Sequence, residues 1–253
     1  MSAAALPAVT AIIPCLDEEE AIGRVVEQLM GHGLGEIIVV DGGSQDRTVA
    51  RATAAGAKVI EVRERGYGRA LSAGLAAASP LSRIVLFLDG DGSDRLETVP
   101  ALLQPIARGE ADFVMGSRIL GARERGSLSP AQLVAGRLAG LLIRLTYGVA
   151  FTDMSPLRAI RRDVLEDLGM REKTYGWNLE MQMRVAAKRL RIVELPAGQR
   201  RRSGGRSKVS GNWPATVRAA FVLATTFLRL ALTLNVARGK GGSATLSRRD
   251  SER

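Results

Sequence analysis

Four short β-branched runs, VTAIIP (9–14), EIIVVD (36–41), AKVIEV (57–62) and RIVLFLD (83–89), are separated by stretches with helical apolar spacing. Those stretches predict helices from about Glu18 to Met30, after Asp46 and from Tyr67. In the first of them Ile22, Val25, Val26 and Leu29 recur on one face, as a helix packed on a sheet requires. Strands joined by helices lie parallel through right-handed crossovers, so the chain is expected to be α/β, with a mostly parallel sheet covered on both sides. The composition agrees: 46% of 253 residues are hydrophobic but only 4% are aromatic, which suits helices on a sheet better than an aromatic-rich β-sandwich.

After DFVMGSR (112–118) the rhythm changes to a long helix around 130–147, a short loop FTDMSPLRAI, a helix over WNLEMQMRVAAKRL and a last strand in RIVELPAGQRRR. No Pro/Gly/Ser linker divides the chain, so 8–118 and 119–211 read as two halves of one domain. The stretch 219–237 approaches the length of a bilayer span but is interrupted by Arg229. Two alternatives stay open for 212–237: a helix in the headgroup region, or an amphipathic helix packed on the domain. The tail 238–253 lacks apolar periodicity and reads as a disordered basic segment.

A net charge of +10 calls for a negative partner: a phosphorylated small molecule, an anionic membrane or nucleic acid. Cys15 is the one cysteine, so no internal disulfide forms, and the N-terminus lacks the pattern of a signal peptide. A cytoplasmic setting follows. His32 lies between glycines at a helix end, with no serine or cysteine nucleophile motif to serve.

In an open parallel sheet, ligands bind beyond the carboxyl ends of the strands. Three strand ends deliver acids there: Asp17, Glu18, Glu19 and Glu20 after the first, Asp41 after the second, and Asp89, Asp91 and Asp94 after the fourth. One helix cap uses one Asp, so DGDGSD (89–94) asks for more. Clustered carboxylates suit Mg²⁺ or Mn²⁺, which retain water and bridge to substrate phosphates. Gly42, Gly43, Gly90 and Gly92 let backbone approach a ligand closely, although turn chemistry explains each of them equally well. GYGRAL (66–71) lacks the third glycine of a dinucleotide fingerprint and follows the wrong strand, and there is no Walker lysine motif.

Taken in order, AIIPCLDEEEAI, IIVVDGGSQDRTV, YGRALSAGL, FLDGDGSD and VMGSR resemble the inverting family 2 glycosyltransferases of the GT-A fold. The chain looks most similar to the dolichyl-phosphate mannosyltransferase and polyprenyl-phosphate hexosyltransferase branch, over about residues 8–211. That resemblance implies a hexose moved from a UDP- or GDP-linked sugar to an acceptor, with a lipid phosphate as the acceptor of the branch. It implies that Pro14, Leu16, Asp17 and Glu18 line the nucleoside, with Asp41, Gly43, Arg69 and Gly90. Asp89 and Asp91 then form the D-x-D pair for ribose and metal, with Asp91 the foremost metal ligand. Arg202, Arg206, Ser207 and Lys208 fall in the basic loop RRRSGGRSKVSG, which closes on the diphosphate in this branch; arginine forks and lysine suit the charge on a departing diphosphate.

The acceptor side follows the branch less closely. Arg118 of GSR and Arg158 of DMSPLR resemble acceptor-binding arginines, with Arg137, Ser155 and Trp177 as further candidates. Departures are D-G-D for D-A-D, MSPLR for T-S-G-F-R, and no added basic residue over 126–136. A phosphate monoester is already an oxyanion and has to be held, whereas a hydroxyl needs a general base. Glu180 and Asp153 are the base candidates for a hydroxyl, Glu180 being equally readable as a solvated helix carboxylate paired with Arg184. Peripheral contact at the inner membrane face goes with the lipid acceptor. The alternative to an enzyme is a basic module that binds anionic membrane or, without sequence specificity, nucleic acid; salt-sensitive binding to plain duplex, unaffected by Asp91→Asn, would favour it.

Overall fold

A computed structural model of the chain describes residues 8–204 and 220–234. Arg206, Ser207 and Lys208, most of the basic loop, the start and end of 212–237 and the tail 238–253 lie outside the described residues. The elements are β1 (Val9–Cys15), α1 (Ile22–Gly31), β2 (Glu36–Asp41), α2 (Thr48–Ala54), β3 (Lys58–Glu61), α3 (Tyr67–Ala77), β4 (Ile84–Phe87), α4 (Val99–Ala107) and β5 (Phe113–Ser117). They continue with α5 (Pro130–Tyr147), β6 (Arg158–Arg161), α6 (Arg162–Leu168), α7 (Trp177–Ala187) and β7 (Ile192–Pro196), and end in a helix over 220–234, α8.

One seven-stranded sheet runs β3-β2-β1-β4-β6-β5-β7. All neighbouring pairs are parallel except those of β6, which is antiparallel to both β4 and β5. The segment expected as a loop, FTDMSPLRAI, thus holds a strand. Four residues bracketed by arginines carry no readable alternation, and this strand forms only because the edges of β4 and β5 are there to accept it. The helix expected from Glu18 starts at Ile22, after a turn in which Asp17 adopts φ 51°.

Both faces of the sheet are buried, as parallel sheets require. Along β1, Ala11 and Ile13 point into a core shared with α1, α2 and α4, while Ile12 joins a second core under α3, α5 and α7. Strand order reverses between β2-β1 and β4, so the crevice beyond β1, β2 and β4 is the topological switch point.

Helix α5 matches its expected bounds because its ends are specified locally. Ser129 and Gln132 form a reciprocal capping box, Pro130 takes the first turn, and Gly148 closes the helix at φ 78°. Its middle depends on tertiary contact: a Cβ on Gly140 would stand 2.0 Å from the carbonyl oxygen of Phe151. On α8, Leu223, Phe227 and Leu230 pack on the body while Phe221, Leu228 and Leu232 are exposed. Among the described residues, no helix is long and apolar enough to cross a membrane.

Gly140→Ala is expected to cost about 2 kcal/mol, because backbone cannot retreat as a side chain can. Ser129→Ala, which removes one cap, should cost about 1 kcal/mol. Thermal unfolding followed by circular dichroism checks this: the melting temperature should fall further for Gly140→Ala, and the reverse order would refute the close packing.

Candidate active site

Three loops meet at the switch point, and backbone hydrogen bonds set each of them. Asp17 N donates to Ser44 Oγ at 2.8 Å and Glu18 N to Thr48 Oγ1 at 2.8 Å, while Gln45 N donates back to Asp17 Oδ1 at 2.9 Å. Asp41 is buried and holds its own loop, its Oδ2 accepting from Gly43 N and Ser44 N at 2.9 Å each and its Oδ1 from the Ser44 hydroxyl. After β4, Ser93 N donates to Asp91 Oδ1 at 2.9 Å and Asp89 N to Asp94 Oδ2 at 3.0 Å. Gly90 is required here, since a Cβ would lie 2.4 Å from Cys15 Sγ. The carboxylates of Asp89, Asp91 and Asp94 are thereby packed into one turn.

Burial, then the neighbouring Asp91, raises Asp89 to about 6, and burial with Asp89 and Asp91 raises Asp94 to about 8. Asp94 Oδ1 is buried without a hydrogen-bond partner. Burial and the acids Glu18, Asp41, Asp89 and Asp91 push the Cys15 thiol well above its ordinary value, so it stays neutral and inert. Among the described residues one cation answers the cluster directly: Arg202 Nε donates to Asp91 Oδ2 at 2.6 Å and Nη2 to Glu18 Oε1 at 3.0 Å. Burial opposes that charge, but Asp91 and Glu18 outweigh it and hold the guanidinium above its usual value. The strap before and after it is pinned to the β4 turn, Arg200 N on Ser93 O at 2.9 Å and Ser203 N on Asp91 O at 3.1 Å.

Among the described residues no three His, Cys, Asp or Glu side chains are grouped to hold a metal by themselves. The cluster nevertheless fits a hard divalent cation. Asp94 Oδ1 is buried with no donor to meet it, Asp89 and Asp91 present further carboxylates beside it, and Mg²⁺ or Mn²⁺ uses one or two carboxylates and completes its shell from water and phosphate.

On the other side of the crevice, arginines and carboxylates lock together. Arg118 grips Asp153 with Nε and Nη2 at 2.7 Å each, and Asp153 also accepts from Arg118 N at 3.1 Å and Met154 N at 2.7 Å. Burial would raise the Asp153 carboxyl, but these bonds hold it below its ordinary value. Glu180 is fully buried, with Oε2 accepting from Arg171 N at 3.0 Å and Glu172 N at 2.6 Å and Oε1 from Arg184 Nε at 2.9 Å. The expected pair with Arg184 is present, but the carboxylate is not solvated: it ties α7 to the 171–172 turn. Arg158 is also fully buried, donating from Nη1 to Asn178 O at 3.1 Å and from Nη2 to Ser155 O, while its Nε has no partner. Burial lowers its pKa to about 10, still charged at neutral pH.

Residues 10–169 match the family model described as Glycosyl transferase family 2. The chain belongs to glycosyl transferase family 2. It is 36% identical over 207 residues to an uncharacterized glycosyltransferase of Mycobacterium tuberculosis, covering 81% of this chain and 91% of that protein. Over 192 residues it is 37% identical to a dolichyl-phosphate hexose transferase of Haloferax volcanii, covering 74% and 81% of the two chains. Its fold is that of glucosyl-3-phosphoglycerate synthase from Mycobacterium tuberculosis, with a TM-score of 0.71 at 25% identity over 89% of this chain and 80% of that one. The fold is GT-A, and the protein is a glycosyltransferase enzyme.

Within this glycosyltransferase, Asp17, Glu18, Asp41, Asp89, Asp91 and Arg202 come together at one rim, and Pro14, Leu16, Gly43 and Gly90 lie on the same three loops. Arg69 stands on α3, paired with Glu64 at 3.0 Å. Arg137 is exposed on α5, whereas Ser155 and Trp177 are buried. Tyr67 was not singled out by sequence; its hydroxyl donates to Asp89 Oδ1 at 3.4 Å, and only its place in GYGRAL beside the glycines hinted at the site. Gln182, on the buried face of α7, donates to Asp153 O at 2.7 Å and gave no signal.

Asp89 and Asp94 bind protons more tightly in the folded protein than in the unfolded chain, where an Asp titrates near 3.8. The folded state therefore carries extra protons between about pH 4 and about pH 8, and stability falls as pH rises through that window. Asp94→Asn keeps an acceptor for Asp89 N and removes the charge. In metal-free buffer it is expected to raise the melting temperature at pH 9 by roughly 2–4 °C per kcal/mol relieved, and to change little at pH 5. Equal loss at both pH values in differential scanning calorimetry would mean that hydrogen bonding, not charge, governs the site.

Proposed function

We propose that this glycosyltransferase moves a hexose from a nucleoside-diphosphate sugar to a polyprenyl phosphate, with inversion and with a divalent cation at the β4 turn. The observation that supports this most is Arg202 bridging Asp91 and Glu18: a guanidinium takes the position between carboxylates that a cation with its diphosphate suits. The names of the relatives agree, among them the dolichyl-phosphate hexose transferase and a UDP-N-acetylglucosamine–dolichyl-phosphate N-acetylglucosaminyltransferase of Methanococcus voltae, 29% identical over 207 residues.

In this mechanism the loops after β1 and β2 hold the nucleoside, and Asp89 and Asp91 face the ribose and the cation. The bound cation supplies Lewis-acid stabilisation of the leaving diphosphate. Arg202 leaves Asp91 for the diphosphate, where its fork meets the charge that develops as the anomeric C–O bond breaks. The acceptor phosphate oxygen attacks the opposite face and displaces the nucleoside diphosphate, with no proton to remove.

A hydroxyl acceptor is the weaker alternative. Asp153 and Glu180, its two base candidates, are each saturated by arginine and backbone donors, so neither has a lone pair placed for a substrate proton. Arg118 serves an acceptor phosphate with the edge that Asp153 leaves, held in place by that carboxylate. Arg158 acts from beneath, through its charge.

Thermal shift against UDP- and GDP-sugars, with and without Mn²⁺ or Mg²⁺, tests the donor half. A ligand at 100 times its Kd stabilises by about 2.7 kcal/mol, an easily read shift. One nucleotide should give a metal-dependent shift that Asp91→Asn abolishes; equal shifts in the two proteins would remove Asp91 from the site. For the transfer itself, Arg202→Ala is expected to lower kcat roughly 10²-fold with a polyprenyl phosphate acceptor. Turnover with a hydroxyl acceptor and none with the phosphate would overturn the acceptor.

A further inference from the structure

Helix α5 has two apolar faces, and only one is covered. Gly136, Ala139, Gly140, Ile143 and Tyr147 pack inward. On the outside, Val134, Leu138, Leu141 and Leu145 are 63%, 53%, 51% and 74% exposed, at steps of four, three and four residues that keep them in one stripe about 17 Å long at ~1.5 Å per residue. A helix at a protein surface ordinarily turns charged residues of both signs outward. Here the exposed side carries only Arg137 and Arg144 beside the stripe, and Pro130–Tyr147 contains no Asp or Glu. The loop leading to the helix adds exposed Leu120, Arg123 and Arg125, with one exposed acid, Glu124, whose Oε2 accepts from Arg201 N at 2.8 Å.

We propose that this outer face of α5 is the surface by which the protein docks on an anionic bilayer. Leucines spaced along one face and flanked by arginines suit the boundary between acyl chains and phosphate headgroups, where each group finds its complement. A second copy of the chain is the poorer occupant: a two-fold pairing of this face would set Arg137 and Arg144 against the same arginines. The +10 net charge favours an anionic surface as well.

The position deepens the proposed function, on which its consequence rests. A Cβ on Gly136 would lie 3.4 Å from Asp153 Oδ1, so the inner side of α5 abuts the Arg118–Asp153 pair. A bilayer against the outer side brings lipid headgroups within one helix diameter of the acceptor arginine. Transfer to a membrane-borne acceptor then depends on docking, and transfer to a short water-soluble one does not.

Flotation of the full chain with phosphatidylcholine vesicles, with and without phosphatidylglycerol, tests the surface. Wild type should float with the anionic vesicles, and Leu138→Gln/Leu141→Gln/Leu145→Gln should partition at least roughly tenfold less with an unchanged melting temperature. Arg144→Gln should lose anionic preference and flatten the salt dependence. A triple variant that floats like wild type would overturn the proposal and move docking elsewhere, for instance to the exposed side of α8. Failure of wild type to float, or a dimer in vesicle-free solution that the triple variant abolishes, would overturn it too. Failure of the functional proposal reads out separately, as no nucleotide-sugar shift in a protein that still floats.

Discussion

Three carboxylates are crowded into one turn, Asp91 and Asp94 buried and Asp89 half-buried, and most of the site's construction is a response to that crowding. The turn itself is held by backbone donors and by glycines that admit Cys15 and the strap. Its cation arrives from far along the chain: Arg202 is 111 residues from Asp91, carried by the segment after β7. Ion pairs of this sort cost desolvation and repay it only when both partners are well placed. The pair is therefore better understood as a poised site than as a source of stability. In the proposed mechanism this guanidinium neutralises the acids without substrate and transfers to the diphosphate of the donor.

The side proposed for the acceptor is built on the opposite plan. Arg118–Asp153 and Glu180–Arg184 are closed pairs in which carboxylate lone pairs are used up, and breaking either would strand a buried charge. They fix the frame rather than offer proton chemistry. That contrast, between the under-compensated acids of the β4 turn and the closed Arg118–Asp153 and Glu180–Arg184 pairs opposite them, is what the proposal of an already ionised acceptor rests on.

Helix α5 connects this wall to the exterior. Its small residues allow the close approach to 151–154 that supports Asp153, and the same helix turns a row of large apolar residues outward. The inner face packs on the domain, and the outer row is the surface proposed for the bilayer, so the helix carries more apolar residues than packing on the domain alone would require.

The amino-acid sequence determined the α/β order, the long helix 130–147 with its capping box and terminal glycine, and the delivery of acids to the ends of the first, second and fourth strands. These are local properties: spacing of apolar residues, cap chemistry, and the rule that a parallel sheet binds ligands at its carboxyl edge. Tertiary structure alone decided that Arg158–Arg161 is a strand and that Glu180 is buried. It also decided that Asp153 holds Arg118, and that Arg202 lies on Asp91. None of these could be seen in advance, because a four-residue strand takes its conformation from neighbouring edges. The state of a charged side chain, likewise, depends on which donors the fold brings within three ångströms, and those donors are distant in the chain.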